Sequence, residues 1–380
     1  MSPILSGPFA EADAALQRFL DKGAASYEAC RNFDYGPANR NNVSQLSKFI
    51  SHRVLFEYEV AQRALAQYSP DVVDKFIQEV FWRIYWKGWL EHRPAVWNDY
   101  VAFDHDTTPK RLFQQAVTGK TGIDCFDYWS AELQNTNYLH NHTRMWFASI
   151  WIFTLGLPWQ SGARFFMQHL FDGDAASNTL GWRWVAGIQT IGKHYVARAS
   201  NIEQFTNGRF SPHNLNETPV PAASSKTYDI MPIDDRAKYQ KKYNKLIVLE
   251  NDLYVKKKDE YEAYDTVFVL RPNNIVRSVD FAGPVTDFKM GLISAFCENH
   301  ANAQDIDAAG LGAIAASQQG FDVVYPAIGD HLDFLFRLRD ESGVALHLLK
   351  RPEDVFCWHY AKKGFFNFKK HIPEMMAFVR

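Results

Sequence analysis

Cysteine is scarce in this chain, and its placement excludes more than its number does. The four, Cys30, Cys125, Cys297 and Cys357 among 380 residues, lie far apart and form no CxxC pair. That argues against a disulfide framework, a zinc site or an iron–sulfur cluster, so no metal is expected, and it suits a reducing, cytoplasmic compartment. An excess of charge is also lacking, with 41 Lys and Arg against 43 Asp and Glu and a net charge of −2. A global attraction to nucleic acid is thereby excluded, and any DNA contact needs a local basic patch. The uncharged stretch Met145 to Gln160 falls short of the roughly 20 residues of a bilayer-spanning helix, and no membrane association is expected. Met1 to Ala10 has no basic segment followed by an apolar one, so no secretory signal is read there. Neither GxGxxG nor GxxxxGK[ST] occurs, which removes the glycine-rich nucleotide motifs.

Aromatics, by contrast, are abundant at 15%, with 11 Trp. The ordinary reading is a large helical core, and the sharper one is that some indoles carry electrons. Residues 11 to about 205 show helical periodicity, predicting helices over 13–24, 45–51, 57–68, 72–90, 108–118, 128–133, 141–155, 162–170 and 175–188. Ser211 to Ser225 is polar and proline-containing and reads as a linker or surface loop. Beyond it, 245–249, 266–270, 321–325 and 344–349 are short apolar runs separated by helical patterns at 287–300, 307–318 and 330–339. Strands alternating with helices predict a small parallel sheet. The fold class is therefore mostly α, a helical domain (1–228) followed by a smaller α/β domain (240–380).

Chemistry-bearing residues recur at helical spacing. Asp174, Asn178 and Trp182 are four residues apart, which puts a carboxylate, an amide and an indole on one face. Asn141 and Met145 repeat the spacing, with Arg144 beside them. Such a stripe suits a flat, polar-edged redox ring better than a plain core. Glu79, Trp82 and Arg83 share one helical turn, where Glu79 and Arg83 form an i,i+4 ion pair on the plainest reading. Ser44-Gln45-Leu46-Ser47 precedes a helical pattern and is either an N-cap or an anion site at a helix N-terminus. Asp172 and Asp174 read as N-caps, a weak metal site or part of a ligand edge.

These blocks resemble, in order, the helical FAD-binding domain of the DNA photolyase/cryptochrome family, over roughly residues 25 to 210. The resemblance implies FAD as cofactor. Its diphosphate would lie at Ser44, Gln45, Leu46 and Ser47, with Tyr27 and Arg31 adding a phenol and a cation. The flavin ring and ribityl chain would lie among Arg83, Asn141, Arg144, Asp172, Asp174 and Asn178. It further implies cleavage of cyclobutane pyrimidine dimers in UV-damaged DNA by an electron from photoexcited reduced FAD. Glu79, Trp82 and Met145 would then hold the flipped lesion, and Trp182 and Trp159 would pass electrons to the flavin. Asparagine at 178 follows the photolyases. The alternative is a cryptochrome-like light sensor without repair. The sequence also departs from the pattern. Gln45 stands for an arginine, Lys48 and Arg53 for a proline and a glycine, and 189–195 for a Gly-Thr-Asp-Ala type segment. The outer tryptophan expected near Asp106 is missing, with Trp86, Trp89, Trp146 and Trp151 left as substitutes. His140 and His142 fall out of register and read as surface or supporting groups. Helical-before-α/β order leaves two readings of the second domain, a permuted antenna domain or an unrelated appendage.

Overall fold

The computed structural model describes residues 6–190, 192–220, 226–234, 239–256, 258–272 and 279–379. Its organising element is the long helix Pro70–Glu91. Proline at the first helical position fixes φ where no N–H is needed. Val73, Phe76, Ile77, Val80, Phe81 and Ile84 then recur at 3–4 spacing and are buried. Glu57–Gln67 and Ala175–Val185 pack on it, and Asn141–Ser149 and Trp159–His169 pack in turn on Ala175–Val185.

Five parallel strands follow: β1 (Lys245–Leu249), β2 (Thr266–Leu270), β3 (Ala303–Ile306), β4 (Gly320–Val324) and β5 (Ala345–Leu349). Their order is β3-β2-β1-β4-β5, with Ile247 paired to Phe268 on one side and Val323 on the other. β4 is buried throughout and β1 at four of five positions, as expected of a parallel sheet covered on both faces. The chain runs outward from β1 one way and from β4 the other. The carboxyl ends of these two strands therefore flank the switch point of the sheet.

The last helices return to the first part of the chain. Trp358, at the end of Pro352–Trp358, packs so close to Gly88 that a Cβ there would lie 2.6 Å from the indole. One buried apolar cluster runs through both parts, from Phe81 and Trp146 to Val248, Trp358 and Met375. A buried ion network joins them as well. Both guanidinium arms of Arg53 donate to Asp354 at 2.7 Å, and one reaches Asp252 at 3.1 Å. Arg351 holds the other side of Asp252 at 2.9 and 2.8 Å.

The helical and α/β character is as expected, and four strand positions agree within a residue. Several details differ. The 45–51 helix is a single turn, Ser47–Ile50, because Gln45 takes a left-handed φ of 52° and Leu46 occupies the cap position. The 141–155 helix is α-helical to Ser149 and then widens to a π turn over Ile150–Thr154. Helices Pro94–Val101 and Ala199–Phe205 and strand β3 were not expected. Strand β3 (AQDI) lacks an apolar run and forms because the edge of β2 offers it hydrogen bonds. Of the expected linker, 221–225 lies outside the described residues, as does 235–238 between the two expected domains.

Candidate functional site

Asp174 is the hinge of the site. It is the N-cap of helix Ala175–Val185, where its Oδ1 accepts from the Ser177 N–H at 2.7 Å. The short polar side chain satisfies an N–H that the helix cannot. Its other oxygen faces two cations of the long helix, Arg83 at 3.7 Å and Lys87 at 3.9 Å. Burial pushes the Asp174 carboxyl up, but Lys87 and Arg83 together hold it below the usual carboxylate range. The Glu79–Arg83 pair is thus replaced. Arg83 turns to Asp174, and Glu79 binds Arg31 at 2.7 Å. Burial outweighs the Arg31 charge at Glu79 and raises its pKa.

Two residues earlier, Asp172 pairs with Arg144 at 2.9 Å, while the Arg144 Nε donates to the Leu139 carbonyl. Burial raises Asp172 less than Arg144 and Arg83 lower it. Ser47 belongs to the same cluster: its hydroxyl lies close enough to help hold Asp172 down, yet outside hydrogen-bonding geometry. Asn178 donates from Nδ2 to the Ala163 carbonyl at 2.8 Å, which ties its helix to Trp159–His169. Trp182 is buried against Phe166 and Trp151, at ring separations of 5.0 and 6.1 Å. Gly162 admits it, for a Cβ there would lie 2.2 Å from the indole.

The remaining expected residues surround this centre with less convergence. Tyr27 opens a short helix and packs edge-on to Phe19 and Phe76. Burial and the Glu79 charge raise its phenol. Ser44 accepts from the Leu46 N–H at 3.5 Å, Gln45 is exposed and Leu46 is buried. The helix that Ser47 opens is a single turn, Ser47–Ile50, with Leu46 at its cap position, so it supplies little dipole. Asn141 is exposed at its helix start and Met145 half-buried one turn on. Trp159 stacks on Tyr100 at 5.7 Å, and Trp82 stacks on Phe365 at 3.7 Å and 12°. His140 and His142 are not surface groups. His140 is fully buried as the cap of Asn141–Ser149. His142 lies 4.1 Å from Trp146, with Nδ1 donating to the Asn32 carbonyl, which leaves Nε2 to accept from Tyr195.

Sequence reasoning missed Lys87, although its i+4 spacing from Arg83 was available. It missed Tyr138, whose ring lies 5.2 Å from the Arg40 guanidinium and 5.4 Å from that of Arg144, and it missed Phe365. No local signal announces a contact between residues 82 and 365.

Buried polar atoms are normally paired. Arg83 Nη1, Asp172 Oδ1, Trp182 Nε1 and the Ser47 hydroxyl are buried here without a hydrogen-bond partner among the described residues. All four belong to residues singled out from the sequence. Ser47, Arg83 and Asp172 adjoin one another, and two donors and an acceptor there fit a polar-edged ligand such as FAD.

Residues 76–251 match the family model of the FAD binding domain of DNA photolyase. Tyr27, Arg31 and Ser44–Ser47 lie ahead of that match. The chain is 32% identical over 195 residues to the deoxyribodipyrimidine photo-lyase of Escherichia coli, covering 48% of this chain and 40% of that one. It is 31% identical over 185 residues to the enzyme of the same name from Synechococcus, covering 46% and 37%. The chain therefore spans about 40% of the length of the curated relatives it matches. A bacterial class III photolyase from Agrobacterium tumefaciens superposes with a TM-score of 0.46 at 25% identity, covering 54% and 44%. A Synechocystis cryptochrome gives 0.47 at 23%, with the same coverage. Among the described residues no helix is long and apolar enough to cross a membrane. Over residues 76–251, which carry Glu79, Arg83, Arg144, Asp172, Asp174 and Asn178, this chain is similar to the FAD binding domain of DNA photolyase.

Proposed function

We propose that this protein is a light-dependent photolyase that splits cyclobutane pyrimidine dimers in UV-damaged DNA. FAD bound among the arginine–aspartate pairs would supply an electron on illumination. Arg83, Arg144, Asp172, Asp174 and Asn178 would grip the ring and ribityl chain, with Ser47 toward the diphosphate and Ser44, Gln45, Leu46, Tyr27 and Arg31 beyond it. Trp182 and Trp159 would replenish electrons, and Glu79, Trp82, Met145 and Asn141 would meet the lesion. The observation that carries the reading is the cluster of unpartnered buried atoms on Ser47, Arg83 and Asp172, beside relatives named deoxyribodipyrimidine photo-lyase. The division into 1–228 and 240–380, with the second part as a permuted antenna domain, belongs to the same proposal.

A second reading, a cryptochrome-like sensor, is favoured by one contact. Phe365 covers a face of Trp82 in the tightest ring stack described, and Arg31 already engages Glu79. One experiment separates the two. The FAD-loaded protein is illuminated with a dimer-containing oligonucleotide and intact dimers are counted. Repair predicts their loss in light alone, abolished by Glu79→Ala with FAD retained. Photoreduction of the protein with every dimer left intact would reject repair in favour of the sensor.

A further inference from the structure

We infer that the loop joining β4 to helix Asp330–Ser342 is a wall of the flavin site, with Gly329 as the residue that positions Asp174. The inference rests on the reading of Asp174 as a flavin-edge carboxylate.

The loop is held at both ends of the problem. On one side stands Glu91, the last residue of the long helix. It accepts from the Tyr325 hydroxyl at 2.8 Å and from the Ile328 N–H at 2.9 Å. On the other side Gly329 meets helix Ala175–Val185. A Cβ on Gly329 would lie 2.7 Å from the Cβ of Ala175, inside any real contact distance. Ala175 follows Asp174 and is the first residue of the helix that Asp174 caps. Between these anchors Ala327 takes a left-handed φ of 64°, a conformation a residue with a Cβ adopts when its surroundings over-determine it.

Geometry closes the argument. The long helix carries Arg83 and Lys87, the two cations that face Asp174, and it also carries Glu91. The separation of cations and carboxylate is thus bridged by a strut, from Glu91 through the loop to Ala175. Ala175 has little freedom to retreat, because its helix is tied to Trp159–His169 by Asn178 and wedged there by Trp182 against Gly162. Beneath the loop lies a polar seam at the switch point of the sheet, lined by Asp174, Lys87, His52, Glu250, Lys289 and His331. Its space for a water-sized sphere, about 40 Å³, suits a few waters and is too small for an organic pigment. The sheet therefore acts on the flavin site through the loop that crosses this seam.

The test is FAD affinity of the whole chain, titrated into stripped protein, with circular dichroism and thermal melting as controls for folding. Gly329→Ala should weaken FAD about tenfold, and adding Ala175→Gly should recover part of that loss, the remainder being the strain of a Cβ at the Gly329 φ of 155°. Glu91→Ala should weaken it in the same direction by a smaller factor. Parent-like affinity in Gly329→Ala overturns the inference. So does a loss that Ala175→Gly fails to rescue, since the fault then lies in the backbone at 329 and not in the contact. If Gly329→Ala does not fold, Glu91→Ala decides, and unchanged affinity there is fatal. A parent chain that takes up no FAD defeats the reading of Asp174 itself, a separate result.

Discussion

Arg53 and Arg83 both reach from the helical part toward buried carboxylates, and they are finished differently. Arg53 donates two short bonds to Asp354 and a third to Asp252, which Arg351 completes from the far side. Burial pushes Asp252 up, yet Arg351 and Arg53 bring it down to about 2. Arg83 stands 3.7 Å from Asp174 with one nitrogen unpartnered, and Asp172 nearby keeps an unpartnered oxygen. Geometry that tight toward Asp354 and Asp252 offsets much of the cost of burying charge, although the Arg53 Nε and both Glu57 oxygens have no hydrogen-bond partner among the described residues. The contrast is between a cation that donates three bonds across the two parts of the chain and one that only faces its carboxylate.

The largest effect should come from breaking the closed cluster. Arg53→Ala leaves Asp354, Asp252 and Glu57 facing one another without their shared cation, and should cost about 3–5 kcal/mol in urea unfolding. A loss under about 1 kcal/mol would mean that water reaches these carboxylates and that the junction is not dry. Asp174→Ala removes the cap, worth about 1 kcal/mol, and the carboxylate that faces buried Lys87 and Arg83, so it should cost more than the cap alone while abolishing FAD uptake. Stoichiometric FAD in that variant would erase the distinction drawn here. The smallest and most specific effect concerns pH. Burial raises the Glu91 carboxyl to about 7 despite its bonds from Tyr325 and Ile328. Its protonated form is the one the fold prefers, so this contribution is full below about pH 4.5 and fades as pH rises through 7. His52 runs the other way. Burial lowers it to about 3, and its contribution fades as pH falls from about 6.5. The difference between parent and Glu91→Gln isolates the first: the parent should lose stability relative to the variant between pH 5 and 8. A constant difference across that range would place the Glu91 carboxyl in water.

What could be read from the sequence was what repeats locally. The 3–4 spacing of apolar residues located the long helix to within two residues at each end, and four apolar runs located four strands. The Asp174–Asn178–Trp182 stripe was legible for the same reason, since one helix carries it. Contacts across the chain were not. Nothing near residue 79 says that its carboxylate will prefer Arg31 to Arg83, because that choice depends on where a separate short helix docks. Position 53 shows the limit from the other direction. Arginine stands there where the resemblance leads one to expect a glycine, and the backbone keeps a left-handed φ of 50°. The guanidinium binds three carboxylates supplied by residues 57, 252 and 354, two of them some two and three hundred positions away. Sequence marked the substitution and could not show what compensates for it.

The return of Pro352–Trp358 and Phe365–Phe368 onto the long helix has a consequence for how the molecule comes into being. A surface on residues 70–91 waits for partners made more than 250 residues later, so its contacts have very high sequence separation. Chains so wired fold slowly. Until Phe365 and Phe368 emerge, the faces of Trp82 and Tyr85 that they cover are open to whatever binds hydrophobic nascent chains. Biogenesis of this protein should therefore lean on chaperones more heavily than its helical content suggests.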